Sequence, residues 1–263
     1  MTTYRRIAAL GSSYAAGPGI QPVVNRAAMR SGNNYAHVLA RALGAELTDL
    51  TVSGATTSTV LDTPQRVGLV KFAPQILSLP VDADLVLITA AGNDLEYLGS
   101  AVKLGVHFTL NRYTRGLLQR WIPADVPTAT VEQQNKAAAG LARIVTETRS
   151  RAPEARVILV DYLPMVGDMT VPFMDVPFDK AVVDALAAIH DQLSRVFTDV
   201  AEQTGTDLAQ ASRFGRGHEL GSPSPWIQPL QPVHRIASSF HPTADGMKAV
   251  ATELLRIIGE PSR

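Results

Sequence analysis

No cysteine occurs in the 263 residues, which excludes disulfides and thiolate-held metals and leaves the redox compartment open. Charge is sparse and balanced: Asp, Glu, Lys and Arg make up 18% of the chain, with 24 basic against 24 acidic residues. A pI of about 7.0 gives no electrostatic reason to expect nucleic acid or an anionic membrane as partner. No apolar stretch approaches the roughly 18 residues that span a bilayer, so stable membrane insertion is not expected. Arg5 and Arg6 precede only four apolar residues before Gly11, too few for the core of a secretory leader. As written, the chain reads as cytoplasmic, and a secreted protein whose leader had been removed would read the same. Repeats, low-complexity tracts and linkers are also missing, while apolar residues at 46% provide ample core. One domain over residues 1–263 is expected.

Compact apolar runs alternate with longer helical patterns. Strands are expected at 5–10, 46–52, 85–89 and 157–161, with a weaker one at 206–209. Each is a continuous apolar run rather than a strict in/out alternation, as in parallel strands covered on both faces. Helices are expected at 34–43, 133–151, 178–205 and 242–258. This order predicts an α/β fold, a three-layer α/β/α sandwich around a mainly parallel sheet of about five strands. Three stretches interrupt it. In 95–131, Leu110, Tyr113, Leu117, Leu118 and Trp121 recur at helical spacing opposite Arg112, Arg115 and Arg120. The loop 162–179 mixes three prolines with Met165, Met169, Phe173, Met174 and Phe178, and 212–239 is a long Gly/Pro-rich approach to His241. Loops of that length are usually functional or mobile.

Parallel α/β sheets bind ligands at the carboxyl ends of their strands. Ser13, Gly54 and Asn93 follow the first, second and third expected strands. Ser13, in Gly11-Ser12-Ser13-Tyr14-Ala15-Ala16-Gly17, would be a nucleophile exposed on a tight strand-to-helix turn, provided a base removes its proton. His241, held extended before Pro242 at a helix entrance, is the candidate general base, and His234 is its rival. The Ser13 N–H, the Gly54 N–H and the Asn93 carboxamide would form an oxyanion hole. Each piece alone also fits ordinary turn chemistry. No clustered His/Asp/Glu ligand set is visible, so neither a metal nor a cofactor is called for.

Together, the block Gly11–Gly17, Gly54, Gly92-Asn93-Asp94-Leu95 and His241-Pro242 with Gly246 resembles the SGNH (GDSL-type) hydrolases in order and spacing over nearly the whole chain. The resemblance implies a flavodoxin-like three-layer fold and an esterase or lipase working through an acyl-enzyme on Ser13. Two positions depart from the family pattern. Ser12 replaces the aspartate of Gly-Asp-Ser, and Ser238 stands where the triad aspartate would lie, three residues before the histidine. The expected arrangement is therefore a Ser13–His241 dyad, with the Ser238 carbonyl accepting the Nδ1 proton. Tyr14, Tyr162, Met165, Phe173 and Phe240 are the expected lining of the substrate pocket. The apolar loops favour a small acyl or aryl ester over a charged substrate, and the absence of a basic cluster argues against a phosphorylated one. Two alternatives stay open: acyl transfer from the same acyl-enzyme, and a non-catalytic binding protein on the same scaffold.

Overall fold

The computed structural model describes residues 4–114 and 125–259. Five strands form the central sheet: β1 (Arg6–Gly11), β2 (Glu46–Asp49), β3 (Leu85–Thr89), β4 (Arg156–Val160) and β5 (Asp207–Ala209). All pair in parallel, in the spatial order β2-β1-β3-β4-β5. Every residue of β3 is buried, as are Ile7–Leu10 of β1. Helices cover both faces, which is why these runs are continuously apolar.

The helices are α1 (Ser13–Ala16), α2 (Tyr35–Leu43), α3 (Thr57–Leu61), α4 (Tyr97–Tyr113), α5 (Val131–Arg151), α6 (Lys180–Thr204), α7 (Ala211–Phe214) and α8 (Ala244–Ile258). One layer is built where α2 packs on α8 and the other where α5 packs on α6. The expected α/β sandwich with a five-stranded parallel sheet is the fold observed. Local chemistry sets its boundaries. The side chains of Asn34, Thr130, Asp179 and Thr243 accept N–H bonds at the starts of α2, α5, α6 and α8. Gly44 and Gly205, at φ +64° and +57°, stop α2 and α6 in the left-handed conformation. Thr243 is thus a cap, so α8 starts two residues later than Pro242, where the sequence suggested. Strand β2 ends at Asp49 rather than Val52, although Leu50 and Val52 still donate to the Ala9 and Gly11 carbonyls of β1.

Two short antiparallel hairpins, Val23–Asn25 with Arg30–Ser31 and Gln65–Val67 with Val70–Phe72, were not anticipated. In the expected 95–131 insert, Leu110 and Tyr113 are exposed on α4, while Arg115, Leu117, Leu118, Arg120 and Trp121 lie outside the described residues. No described helix is long and apolar enough to cross a membrane.

The strand order reverses direction between β1 and β3. A crevice opens at such a switch point, beyond the strand carboxyl ends. Ser13 follows β1 and Asn93 follows β3, so the topology delivers both to that crevice.

Candidate active site

The turn from β1 into α1 is tight because of Gly11. Its φ is +146°, and a Cβ there would be driven into the Thr89 carbonyl of β3. Gln75, buried on a neighbouring 3₁₀ turn, accepts from the Gly11 N–H (2.8 Å) and donates to the Gly11 carbonyl (2.9 Å). The chain then swings through Ser12 to place Ser13 as the first residue of α1. First-turn N–H groups have no intrahelical partner. That of Ser13 has no acceptor among the described residues, and its hydroxyl has no partner there either.

Gly54 turns the chain after β2 at φ +82°, and its N–H is likewise unpaired among the described residues. Asn93 donates one Nδ2 hydrogen to the Ala55 carbonyl (2.7 Å), which fixes the carboxamide beside the Gly54 turn and leaves its second hydrogen available. Asp94 reinforces this staple by accepting from the Thr57 N–H (3.0 Å) and hydroxyl (2.6 Å), and burial raises its pKa. The loops after β2 and β3 are therefore held as one unit.

His241 is 5% exposed. Its Nδ1 lies 2.8 Å from the Ser239 carbonyl, and because a carbonyl only accepts, Nδ1 carries the proton. Nε2 is then the basic nitrogen, and it is buried without a partner among the described residues. The orienting carbonyl was expected from Ser238, and this is corrected by one residue. The Ser238 carbonyl accepts the His241 backbone N–H instead (3.3 Å). The reason lies at Phe240, whose φ of +62° reverses the chain and turns the Ser239 carbonyl toward the ring. Burial pushes the imidazole pKa down to about 4, against the smaller opposing effect of the Ser239 and Ser238 carbonyls.

Tyr14 brings the two ends of the chain together. Its hydroxyl donates to the Phe240 carbonyl (3.2 Å), and its ring centroid lies 5.8 Å from that of His241. On its other side the ring packs on Tyr162, at 4.6 Å between centroids. The Tyr162 hydroxyl accepts from the Gly92 N–H (3.1 Å) and meets the Ser12 hydroxyl (3.1 Å). Ser12, in the aspartate's place, therefore ties the β1 turn to the β3 loop.

The expected pocket lining needs correction. Tyr14, Tyr162, Met165 and Phe240 are 3%, 2%, 0% and 0% exposed and belong to the core. Their apolar area is spent on packing the crevice floor, not on an open wall. Phe173 alone is exposed, with its ring against Phe108 at 6.2 Å. His234, the rival base, is exposed and lines a cavity of about 550 Å³ together with Ser238, with no hydrogen bond to Ser13 or His241 among the described residues.

Sequence reasoning missed two buried polar residues. Gln75 carries no motif. Asp161, at the end of β4, accepts from the Ser212 N–H (2.9 Å) and hydroxyl, and burial raises its pKa to about 7. No hydrogen bond or ion pair joins it to His241 among the described residues.

Residues 9–249 match the GDSL-like lipase/acylhydrolase family. The chain is 31% identical to lipase 2 of Streptomyces coelicolor over 95% of this chain and 85% of that protein, and 27% identical to a lipase of Streptomyces rimosus over 90% and 81%. Its fold is that of the extracellular lipase from S. rimosus (TM-score 0.73, 23% identity, 96% of this chain and 99% of that one). The phospholipase A1 from Streptomyces albidoflavus shares it equally (TM-score 0.73, 22% identity, 97% and 99%).

Proposed function

The chain belongs to the GDSL-like lipase/acylhydrolase family and is a carboxylic ester hydrolase, and from that premise we propose that it works through an acyl-enzyme on Ser13 with His241 as general base. One observation carries the reading: His241 is buried with Nδ1 fixed on a carbonyl and Nε2 unpartnered. A histidine kept for packing would satisfy both nitrogens, because an unpaired buried polar atom costs about 1–3 kcal/mol. The free Ser13 hydroxyl and the unpaired N–H groups of Ser13 and Gly54 support the same reading.

In the first step Ser13 Oγ adds to the ester carbonyl carbon while Nε2 takes the hydroxyl proton. Negative charge gathers on the carbonyl oxygen, opposite the Ser13 N–H, the Gly54 N–H and Asn93 Nδ2. Collapse expels the alcohol, which takes the proton from Nε2, and leaves the acyl group on Ser13. Water, deprotonated by Nε2, repeats the addition and releases the carboxylic acid. The Ser239 carbonyl keeps the imidazole in one tautomer and faces the cation formed in each step, the part an aspartate plays in a triad. For the place of action we favour the secreted over the cytoplasmic alternative, on the likeness to an extracellular lipase.

The test is hydrolysis of p-nitrophenyl acetate, butyrate and octanoate by the wild type, Ser13→Ala and His241→Ala. Both variants are expected to lose at least about 10³-fold in kcat/KM while remaining folded. Persistent activity in Ser13→Ala would show that the nucleophile lies elsewhere.

A further inference from the structure

The acceptor that orients His241 is a backbone carbonyl, so its aim is only as good as the chain that carries it. An aspartate side chain could follow the imidazole by rotation, and the Ser239 carbonyl cannot. Phe240 lies within this segment at φ +62°, a left-handed conformation that persists in a non-glycine residue only where the surroundings impose it. Those surroundings are complete. The N–H groups of Ser239, Phe240 and His241 donate to the carbonyls of Ile236 (3.0 Å), Gln228 (2.9 Å) and Ser238 (3.3 Å). The Ser239 carbonyl meets His241 Nδ1, and the His241 carbonyl accepts the Gln228 N–H (2.8 Å). All these partners lie within residues 228–241. The one supplied from outside is the Tyr14 hydroxyl, which donates to the Phe240 carbonyl (3.2 Å).

That bond acts on the peptide joining Phe240 to His241. A peptide is planar, so holding its carbonyl and its N–H fixes the plane, and with it the direction in which the His241 side chain leaves the backbone. Ser238 holds the N–H and Tyr14 holds the carbonyl. Tyr14 is the second residue of α1, directly after Ser13, and it is buried. Burial raises the pKa of its phenol, so the hydroxyl keeps its proton. The other group near this hydroxyl, the Leu163 carbonyl at 3.4 Å, is also an acceptor, so the phenol serves as donor to both. Its ring is wedged between those of Tyr162 and His241, which holds the hydroxyl in place.

We propose that Tyr14 is a positioning residue for the base: its hydroxyl, anchored in the helical turn that carries the nucleophile, sets the peptide plane before His241 and so aims Nε2 at Ser13 Oγ. The inference rests on the Ser13–His241 reading for the reaction. It gives Tyr14 a different part from the pocket wall that the sequence suggested. Tyr14 and Phe240 are 226 positions apart, and their bond forms only in the fold.

The experiment pairs kinetics with NMR of the imidazole, for the wild type, Tyr14→Phe and Tyr4→Phe. Tyr4→Phe is the control, because it removes a hydroxyl that accepts from Arg156 Nη1 (3.3 Å) just before β1, at the opposite ends of the strands. With p-nitrophenyl butyrate, Tyr14→Phe is expected to lose about 10- to 100-fold in kcat while KM changes less than about threefold, since both acylation and deacylation use Nε2. Tyr4→Phe should keep the wild-type kcat. In nitrogen-15 spectra, the His241 Nδ1 proton should exchange with water at least about tenfold faster in Tyr14→Phe than in the wild type or Tyr4→Phe. A folded Tyr14→Phe with wild-type kcat or unchanged Nδ1 exchange would overturn the proposal, as would a loss carried by KM or matched in Tyr4→Phe. One check needs no variant: the Tyr14 hydroxyl proton of the wild type should exchange slowly enough to be observed, and free exchange there would also overturn the proposal. Activity surviving in Ser13→Ala would instead remove the nucleophile, while the Nδ1 exchange rate still reads the hold of Tyr14 on His241.

Discussion

At the scale of single residues, the proposed chemistry depends on one imidazole kept neutral by burial. A base must be unprotonated to act, so the low pKa of His241, about 4, sets where activity fails on acidification. The acid limb of kcat/KM for p-nitrophenyl butyrate is expected near pH 4–5, roughly two pH units below that of an ordinary imidazole at about 6.5. A limb at the ordinary position would mean that Nε2 is well solvated or that another group is titrating. Ser13, Gly54, Asn93 and His241, on which the proposal rests, could be picked out from the sequence because each belongs to a short block with characteristic neighbours. The identity of the orienting carbonyl could not. It turns on the left-handed backbone of Phe240, a non-glycine residue whose conformation no local propensity predicts.

At the scale of elements, the β1–α1 turn is held by a side chain from elsewhere in the chain. Gln75 supplies both a donor and an acceptor to Gly11, completing backbone pairing at the point where β1 stops being a strand. Gln75→Ala would leave the buried Gly11 N–H unpaired, while the Gly11 carbonyl keeps the Val52 N–H, at a cost of about 1–3 kcal/mol by urea denaturation. It should also lower kcat more than it raises KM, since Ser13 lies only two residues beyond Gly11. Gln75→Glu keeps the acceptor for the Gly11 N–H and should fall between the two. Stability like the wild type's in Gln75→Ala would show that water replaces the amide. The sheet strands and the helices α2, α5, α6 and α8 were readable to within a few residues, through continuous apolar runs and capping residues, whereas α4 stood only as helical spacing within an insert. The short hairpins were not, because two- and three-residue strands carry too little periodicity to stand out.

At the scale of the whole molecule, buried titratable groups set how stability depends on pH, and they act in opposite directions. His241 has a folded pKa of about 4, below that of an unfolded imidazole, so the unfolded chain binds the extra proton between about pH 6.5 and 4 and stability falls on acidification through that window. Burial lowers His190 in the same direction. Asp161 is raised to about 7, so the folded chain keeps a proton that the unfolded chain has lost above about pH 4, and its contribution falls as pH rises through 7. Comparing Asp161→Asn with the wild type isolates that contribution. From pH 7.5 to pH 4.5, the wild type should gain about 3 kcal/mol relative to the variant in urea unfolding, and parallel curves would show that Asp161 is ionised in the folded protein. The amino-acid sequence by itself determined the parallel α/β architecture and put the candidate site residues after its strands, because continuous apolar runs, caps and turn glycines act over a few neighbours. Only the tertiary structure decided which carbonyl meets His241, which aromatic residues sink into the core, and that the Tyr14 hydroxyl reaches the Phe240 carbonyl. Those outcomes depend on contacts between residues distant in the chain, and packing rather than local preference settles them.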